Sequence, residues 1–131
     1  LEEDARELGR VKVWALSAGA WLQFWLRNFA NARCNVQELA LDLEAHNFRS
    51  FQGFVCLMQL STREKDFIID TIALRDSIGK ALGAVFADSS CLKILHGGDS
   101  DVRWLQRDFG IYLVNIFDTG IETCSCLYLF S

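Results

Sequence analysis

The sequence predicts an α/β domain built on a mixed sheet of five strands, three antiparallel and then two parallel, with flanking helices. Three observations carry this expectation. Between residues 36 and 70 the chain offers three apolar runs of strand length joined by short links, the pattern of an antiparallel meander. From Ile72 to Phe86 the apolar period changes from that of a strand to that of a helix. Strand, helix and strand then follow one another as far as Asp118, the order in which helical crossovers join parallel strands.

The bulk properties set the bounds. With 131 residues, 51% of them hydrophobic and 23% charged, the chain has material for one packed domain and not a disordered composition. Its net charge of -4 leaves no long-range electrostatic footprint for nucleic acid, although an acidic metal site can outweigh a local basic groove in such a total. Five cysteines (Cys34, Cys56, Cys91, Cys124, Cys126) are an odd count, which reads as reduced thiols in an intracellular protein. Cys124-Ser125-Cys126 lacks CxxC spacing, so no metal is assigned to it. The chain has no proline and begins with Leu, and the expectation is a piece of something longer.

Residues 1–34 are expected to form a poorly defined helical N-terminal segment, with a charged helix start over 1–12 and a helical region over 13–33. Val13 to Leu26 is an apolar stretch of fourteen residues, short of the roughly 20 that cross a bilayer, so no membrane span is expected. Its acidic flank, Glu2, Glu3, Asp4 and Glu7, argues against a signal peptide.

The first strand follows Asn35. On an extended chain Leu39, Leu41 and Leu43 share one face, while Ala40, Asp42 and Glu44 share the other. The two acids then project side by side, roughly 7 Å apart along the strand. Either they mark an exposed strand end or they hold a cation, because unpaired buried carboxylates cost several kcal/mol. Residues 46–50 read as a turn, Phe54–Leu60 as the second strand and Phe67–Ile69 as the third, ending at Asp70. In the helix that follows, Leu74, Ile78, Leu82 and Val85 make the apolar stripe, with Asp70 or Thr71 as its cap. Leu92–Leu95 is the fourth strand, residues 100–109 a second helix closed by Gly110, and Tyr112–Phe117 the fifth strand. Glu44, Asp70, His96 and Asp118 thus fall at strand ends, where open α/β sheets place their sites, and the expectation is that not all four meet. Asp99, Ser100 and Asp101 open the second helix. Read locally they are N-capping residues; Asp101 is also placed to serve a site from the first turn.

Several blocks taken together carry a resemblance: Asp42-Leu43-Glu44, Phe48-Arg49-Ser50-Phe51-Gln52-Gly53, Cys56-Leu57-Met58-Gln59, Ser61-Thr62-Arg63 and Phe67-Ile68-Ile69-Asp70-Thr71. His96-Gly97, Asp101, Trp104 through Gly110 and Phe117-Asp118-Thr119 continue it in order. Over residues 36–120 the chain resembles the exonuclease domain of the nuclear-exosome 3'-5' exoribonucleases, in the DEDD superfamily with ribonuclease D as a nearer relative. The resemblance implies a ribonuclease H-like fold and two-metal hydrolysis of RNA. By the same resemblance Asp42, Glu44 and Asp101 are the metal-binding and catalytic acids, and Mg2+, or alternatively Mn2+, is the cofactor, since hard oxygen ligands suit such cations. It further implies single-stranded RNA 3' ends as substrate, exosome subunits as partners, and a nuclear or nucleolar location, with the cytosol as the alternative.

Substrate contacts are expected at Arg49, Trp104 and His46, with Arg63 and Arg107 as further phosphate candidates or simply solvated side chains. The family's histidine directly after the first-motif glutamate is replaced here by Ala45, with His46 one place later. The superfamily's third motif, a tyrosine or histidine followed four residues on by an acid, has no counterpart after Gly120; residues 121–131 hold Tyr128 with no aspartate behind it and read as a divergent tail. The expectation is a fold incomplete at its C-terminus and weak or absent activity for this chain, with a non-catalytic RNA- or exosome-partner-binding module as the alternative.

Overall fold

The computed structural model describes residues 6–8, 11–16, 37–48 and 50–120. Seven strands and two helices occupy them, in the order β1 (Arg6–Leu8), β2 (Val11–Leu16), β3 (Glu38–His46), β4 (Phe54–Ser61), β5 (Lys65–Asp70), α1 (Arg75–Phe86), β6 (Leu92–Leu95), α2 (Asp99–Phe109) and β7 (Ile116–Asp118). The strands form one sheet with the spatial order β1-β2-β5-β4-β3-β6-β7. The five expected strands are β3 to β7, in the expected directions: β4 is antiparallel to both β3 and β5, while β6 is parallel to β3 and β7 to β6.

The N-terminal expectation needs correction. Arg6–Leu8 and Val11–Leu16 are strands and not the start of a helix. Val11-Lys12-Val13-Trp14 is rich in β-branched and aromatic residues, and β2 pairs in parallel with β5, Lys12 opposite Lys65 through Leu16 opposite Ile69. That pairing covers an edge of β5 that would otherwise present a row of unpaired backbone groups. β1 pairs antiparallel with β2, Leu8 opposite Val11 and Arg6 opposite Val13. The helical expectation over residues 17–33 lies outside the described residues, as do Cys34, Arg49 and the tail 121–131.

Alternation in β3 sends Leu39, Leu41 and Leu43 into the core, where Met58 and Leu60 of β4 and Phe67 and Ile69 of β5 join them. The helical stripe meets the same layer: Leu74, Ile78, Leu82 and Val85 are all buried, together with Phe86 and, from α2, Leu105. Each such side chain contributes about 1.5–3 kcal/mol when fully withdrawn from water, so this one layer holds both helices against the sheet. In β4 a register shift opposite Glu44 and Ala45 leaves Cys56 as the extra residue, and its thiol donates to the Glu44 carbonyl, 3.1 Å away. The bulge lets Val55 and Met58, three apart, both face the core, which strict alternation forbids.

Two boundaries shift from the expected ones. Helix α1 starts at Arg75 and not Ile72, because the Asp70 carboxylate takes the N–H groups of Ile72 (3.0 Å) and Ala73 (2.9 Å) into a turn first. Thr71 is buried and donates its hydroxyl to the Val55 carbonyl instead of capping. Strand β7 is only Ile116–Asp118; Asn115 has φ of 60°, which breaks the extended run, while its carbonyl accepts the Lys93 N–H. Gly110, at φ 63°, closes α2 as expected.

Among the described residues no helix is long and apolar enough to cross a membrane.

Candidate functional site

Strand β3 continues past its pairing with β6, which ends at Ala40 opposite Ile94. The next strip of that edge therefore has free backbone groups. Helix α2 supplies the partner: the Asp101 carboxylate accepts the Leu43 N–H at 3.1 Å in a buried setting. Asp101 is only 8% exposed, while Asp42 and Glu44, on either side of Leu43, stand on the exposed face. Asp101 thus meets β3 at the residue that Asp42 and Glu44 flank. Burial pushes the Asp101 carboxyl up from its ordinary value, the negative charge of Asp42 pushes it further, and the Leu43 N–H opposes both. Asp118 adds a smaller repulsion.

A buried carboxylate pushed up by a neighbouring acid is a donor whose charge a divalent cation would relieve. Its oxygens are the hard ligands that magnesium prefers. Among the described residues no three His, Cys, Asp or Glu side chains stand close enough together to hold a metal ion. The fit is therefore that of Asp42 and Asp101, with Glu44 on the same strand face; magnesium commonly binds through one or two carboxylates and keeps several waters.

The three acids and one histidine at strand ends are better placed than the sequence implied. Strands β3, β5, β6 and β7 all run the same way, so Glu44, Asp70, His96 and Asp118 lie at one end of the sheet. The opposed strand is β4, which contributes none of them. They separate laterally instead, because β5 and β7 lie on opposite sides of β3, about four strand spacings or roughly 19 Å apart. Asp70 is occupied with the turn before α1. Asp118 accepts three backbone N–H groups, from Gly97 (2.7 Å), Gly98 (2.8 Å) and Gly120 (2.8 Å). The Gly98 N–H holds its carboxyl below the ordinary aspartate range, with Gly120, Gly97 and His96 adding and slight burial opposing. His96 Nδ1 lies 3.0 Å from the Thr119 hydroxyl, which donates to the Leu95 carbonyl. The sequence signal for this cluster was the pair His96-Gly97 and Phe117-Asp118-Thr119, which had no assigned role.

The expected substrate residues fare differently. His46 is exposed on the Glu44 face and its ring lies 5.5 Å, tilted by 47°, from Phe54 across the strand pair. Trp104 is half-buried and packs against the core cluster. Of the further phosphate candidates, Arg63 pairs with Glu38, and Arg107 is bound to Asp108 and to the Gln52 carbonyl. Asp108 anchors the other end of α2: its carboxylate takes the Val55 N–H at 2.8 Å and faces Arg107 and Arg75. Burial alone would raise its pKa, but the Arg107 hydrogen bond, the Val55 N–H and the two guanidinium charges outweigh it and hold the carboxyl low.

Residues 23–128 match the 3'-5' exonuclease family, so the match runs beyond Gly120, where the resemblance was expected to stop. Protein RRP6-like 2 of Arabidopsis thaliana is 56% identical over 86 residues, which are 66% of this chain and 10% of that protein. Human exosome complex component 10 is 55% identical over 85 residues, 65% of this chain and 10% of that protein. The crystal structure of the catalytic core of RRP6 from Trypanosoma brucei superposes with a TM-score of 0.76 at 39% identity, covering 91% of this chain and 32% of that one. This chain thus spans about a tenth of the length of the curated relatives it matches. The sheet and helices are those of a ribonuclease H-like exonuclease fold, a family that generally uses divalent metal ions. With a family match over residues 23–128 and relatives more than half identical over the matched stretch, the chain belongs to the 3'-5' exonuclease family.

Proposed function

We propose that this chain forms the acid-bearing half of an RNA-processing 3'-5' exoribonuclease site, in which Asp42, Glu44 and Asp101 hold two divalent cations, Mg2+ or Mn2+. The observation that carries the reading is the Asp101 to Leu43 hydrogen bond, which brings the helix acid to the backbone of the residue that the two strand acids flank in sequence. When bound, such cations supply the charge that stabilises the attacking and leaving oxygens of a phosphodiester. The protein's own work is to orient the three carboxylates. Asp101 does so from a buried position and the strand acids from the wet face, where a substrate phosphate can approach.

The substrate is the 3' end of single-stranded RNA, and the partners are exosome subunits in the nucleus or nucleolus, all by kinship with the matched relatives. His46, exposed on the Glu44 face, is the substrate contact best supported by position; Arg49 and Trp104 rest on the family pattern. Residues 121–131 contain no tyrosine followed four residues on by an acid, so the 131-residue chain lacks a group to orient the attacking water and a fourth acid. Acid-base groups alone contribute roughly 10²- to 10⁴-fold, and this chain by itself turns over weakly or not at all.

The test is calorimetric titration with Mn2+ alongside incubation of end-labelled single-stranded RNA with Mg2+. We expect Mn2+ binding that Asp42→Ala abolishes, and little shortening of the RNA. Mn2+ binding unchanged in both Asp42→Ala and Asp101→Ala refutes the metal site. Robust shortening that Asp42→Ala removes refutes the incomplete-site reading. The same missing motif favours a second reading, a non-catalytic module that binds RNA or an exosome-type partner; RNA affinity that survives both EDTA and Asp42→Ala would establish it.

A further inference from the structure

We infer that Asp118 is a positioning residue for the site: by gripping the backbone of the turn before α2, it sets where Asp101 meets β3. Asp118 has the look of a further metal acid, since it ends a strand at the same end of the sheet as Glu44. Its hydrogen bonds say otherwise. One carboxylate oxygen accepts the Gly97 and Gly120 N–H groups and the other accepts the Gly98 N–H. A carboxylate has about four acceptor sites, and three of them are committed to backbone.

What they hold matters for Asp101. Helix α2 begins at Asp99 with Gly98 at its N-cap, and no side chain within the helix start caps it. Asp118 reaches in from β7 and satisfies the N–H of Gly98 itself, three residues ahead of Asp101. A second clamp runs beside it: the Thr119 N–H and hydroxyl both donate to the Leu95 carbonyl, fixing the end of β7 to the end of β6. Gly120 closes the arrangement, because a Cβ there would stand 2.5 Å from the Gly97 nitrogen. The start of α2 is thereby tied to the sheet on one side through Asp118 and on the other through Asp101 and Leu43. Loosening the first tie leaves the second free to drift.

This inference rests on the proposed metal role of Asp101 for its functional consequence, and its test separates the two. Backbone amide NMR of the 131-residue chain is recorded for wild type, Asp118→Asn, Asp118→Ala and Asp101→Asn, with Mn2+ affinity measured by calorimetry. In Asp118→Asn an NH2 group faces the Gly98 N–H or else the Gly97 and Gly120 pair, so at least one donor is orphaned. We expect the Leu43 amide, on a different strand, to move in both Asp118 variants toward its position in Asp101→Asn. Mn2+ affinity should fall about 10- to 100-fold, the usual cost of losing a residue that orients a metal ligand. A general loss of stability would lower the melting temperature without moving Leu43 in the folded state. If Asp118→Ala does not fold, Asp118→Asn decides, and the wild type alone adds a check: slow exchange of the Gly97 and Gly98 amides is expected. An unmoved Leu43 amide with Mn2+ affinity within about twofold overturns the inference, as does fast exchange at both glycines. Should wild type bind no Mn2+, the proposed function fails while the Leu43 amide still decides the positioning role.

Discussion

Replacing Asp108 is the sharpest test of how α2 is held. Its side chain is 3% exposed and accepts the Val55 N–H at 2.8 Å, tying the last turn of the helix to the start of β4. A hydrogen bond from a buried N–H to a charged acceptor contributes about 1.5–3 kcal/mol, and removing the acceptor leaves that N–H unsatisfied. Arg107 adds two bonds, 2.6 and 3.0 Å, but its side chain is about one-third exposed, so solvent screening limits it to about 1 kcal/mol or less. Arg75, at 3.6 Å and more exposed, adds little. Asp108→Ala should therefore cost roughly 2–4 kcal/mol at neutral pH by urea denaturation. Asp108→Asn, which keeps one acceptor oxygen, should cost clearly less. The pH dependence has a definite sign. Because the folded carboxyl lies below its ordinary value, its stabilisation is complete above the unfolded value and is lost as pH falls through the folded one. The gap between wild type and Asp108→Asn should hold from neutral pH down to about pH 4, the unfolded range of aspartate, and close below it. A loss under about 1 kcal/mol in Asp108→Ala, or a gap that widens on acidification, would refute the assignment of this carboxylate as the anchor.

Other substitutions test the packing that carries the site. Gly79→Ala should destabilise the chain by about 1–3 kcal/mol in a thermal or urea melt, although alanine in mid-helix ordinarily gains about 1 kcal/mol, because its Cβ would collide with the Phe109 carbonyl oxygen of α2; a stabilised variant would mean the two helices are not in contact there. Thr71→Val should lose about 1 kcal/mol, since it removes the donor to the Val55 carbonyl from a fully buried position at nearly constant volume. An unchanged urea midpoint would show that bond to be dispensable.

Local signals in the sequence carried a good part of the molecule. The alternation Leu39, Leu41, Leu43 against Asp42 and Glu44 depends only on the two-residue period of a strand, and the structure keeps it: leucines inward, acids outward. The stripe Leu74, Ile78, Leu82, Val85 and the Gly110 cap are likewise consequences of chain geometry within a few residues. Readings that failed involved partners distant in sequence. Charges near the N-terminus resemble a helix start, and only the parallel register with β5, more than fifty residues away, makes Val11–Leu16 a strand. Asn115 sits in a strand-like run, yet its left-handed backbone is retained because Lys93 and Ser89 bond to it.

The acids show the same division. Sequence by itself named Asp42, Glu44 and Asp101 through their blocks and spacing, because residue type and order are what a family pattern preserves. Tertiary structure alone decided what each carboxylate is occupied with. Asp70, Asp101, Asp108 and Asp118 are chemically identical, and three of the four are spent on backbone N–H groups that hold turns and helix ends. Asp101 also accepts one, but it does so against the charge of Asp42 and the cost of burial. That opposition arises only when a helix and a strand 58 residues apart are folded together, so no local pattern contains it.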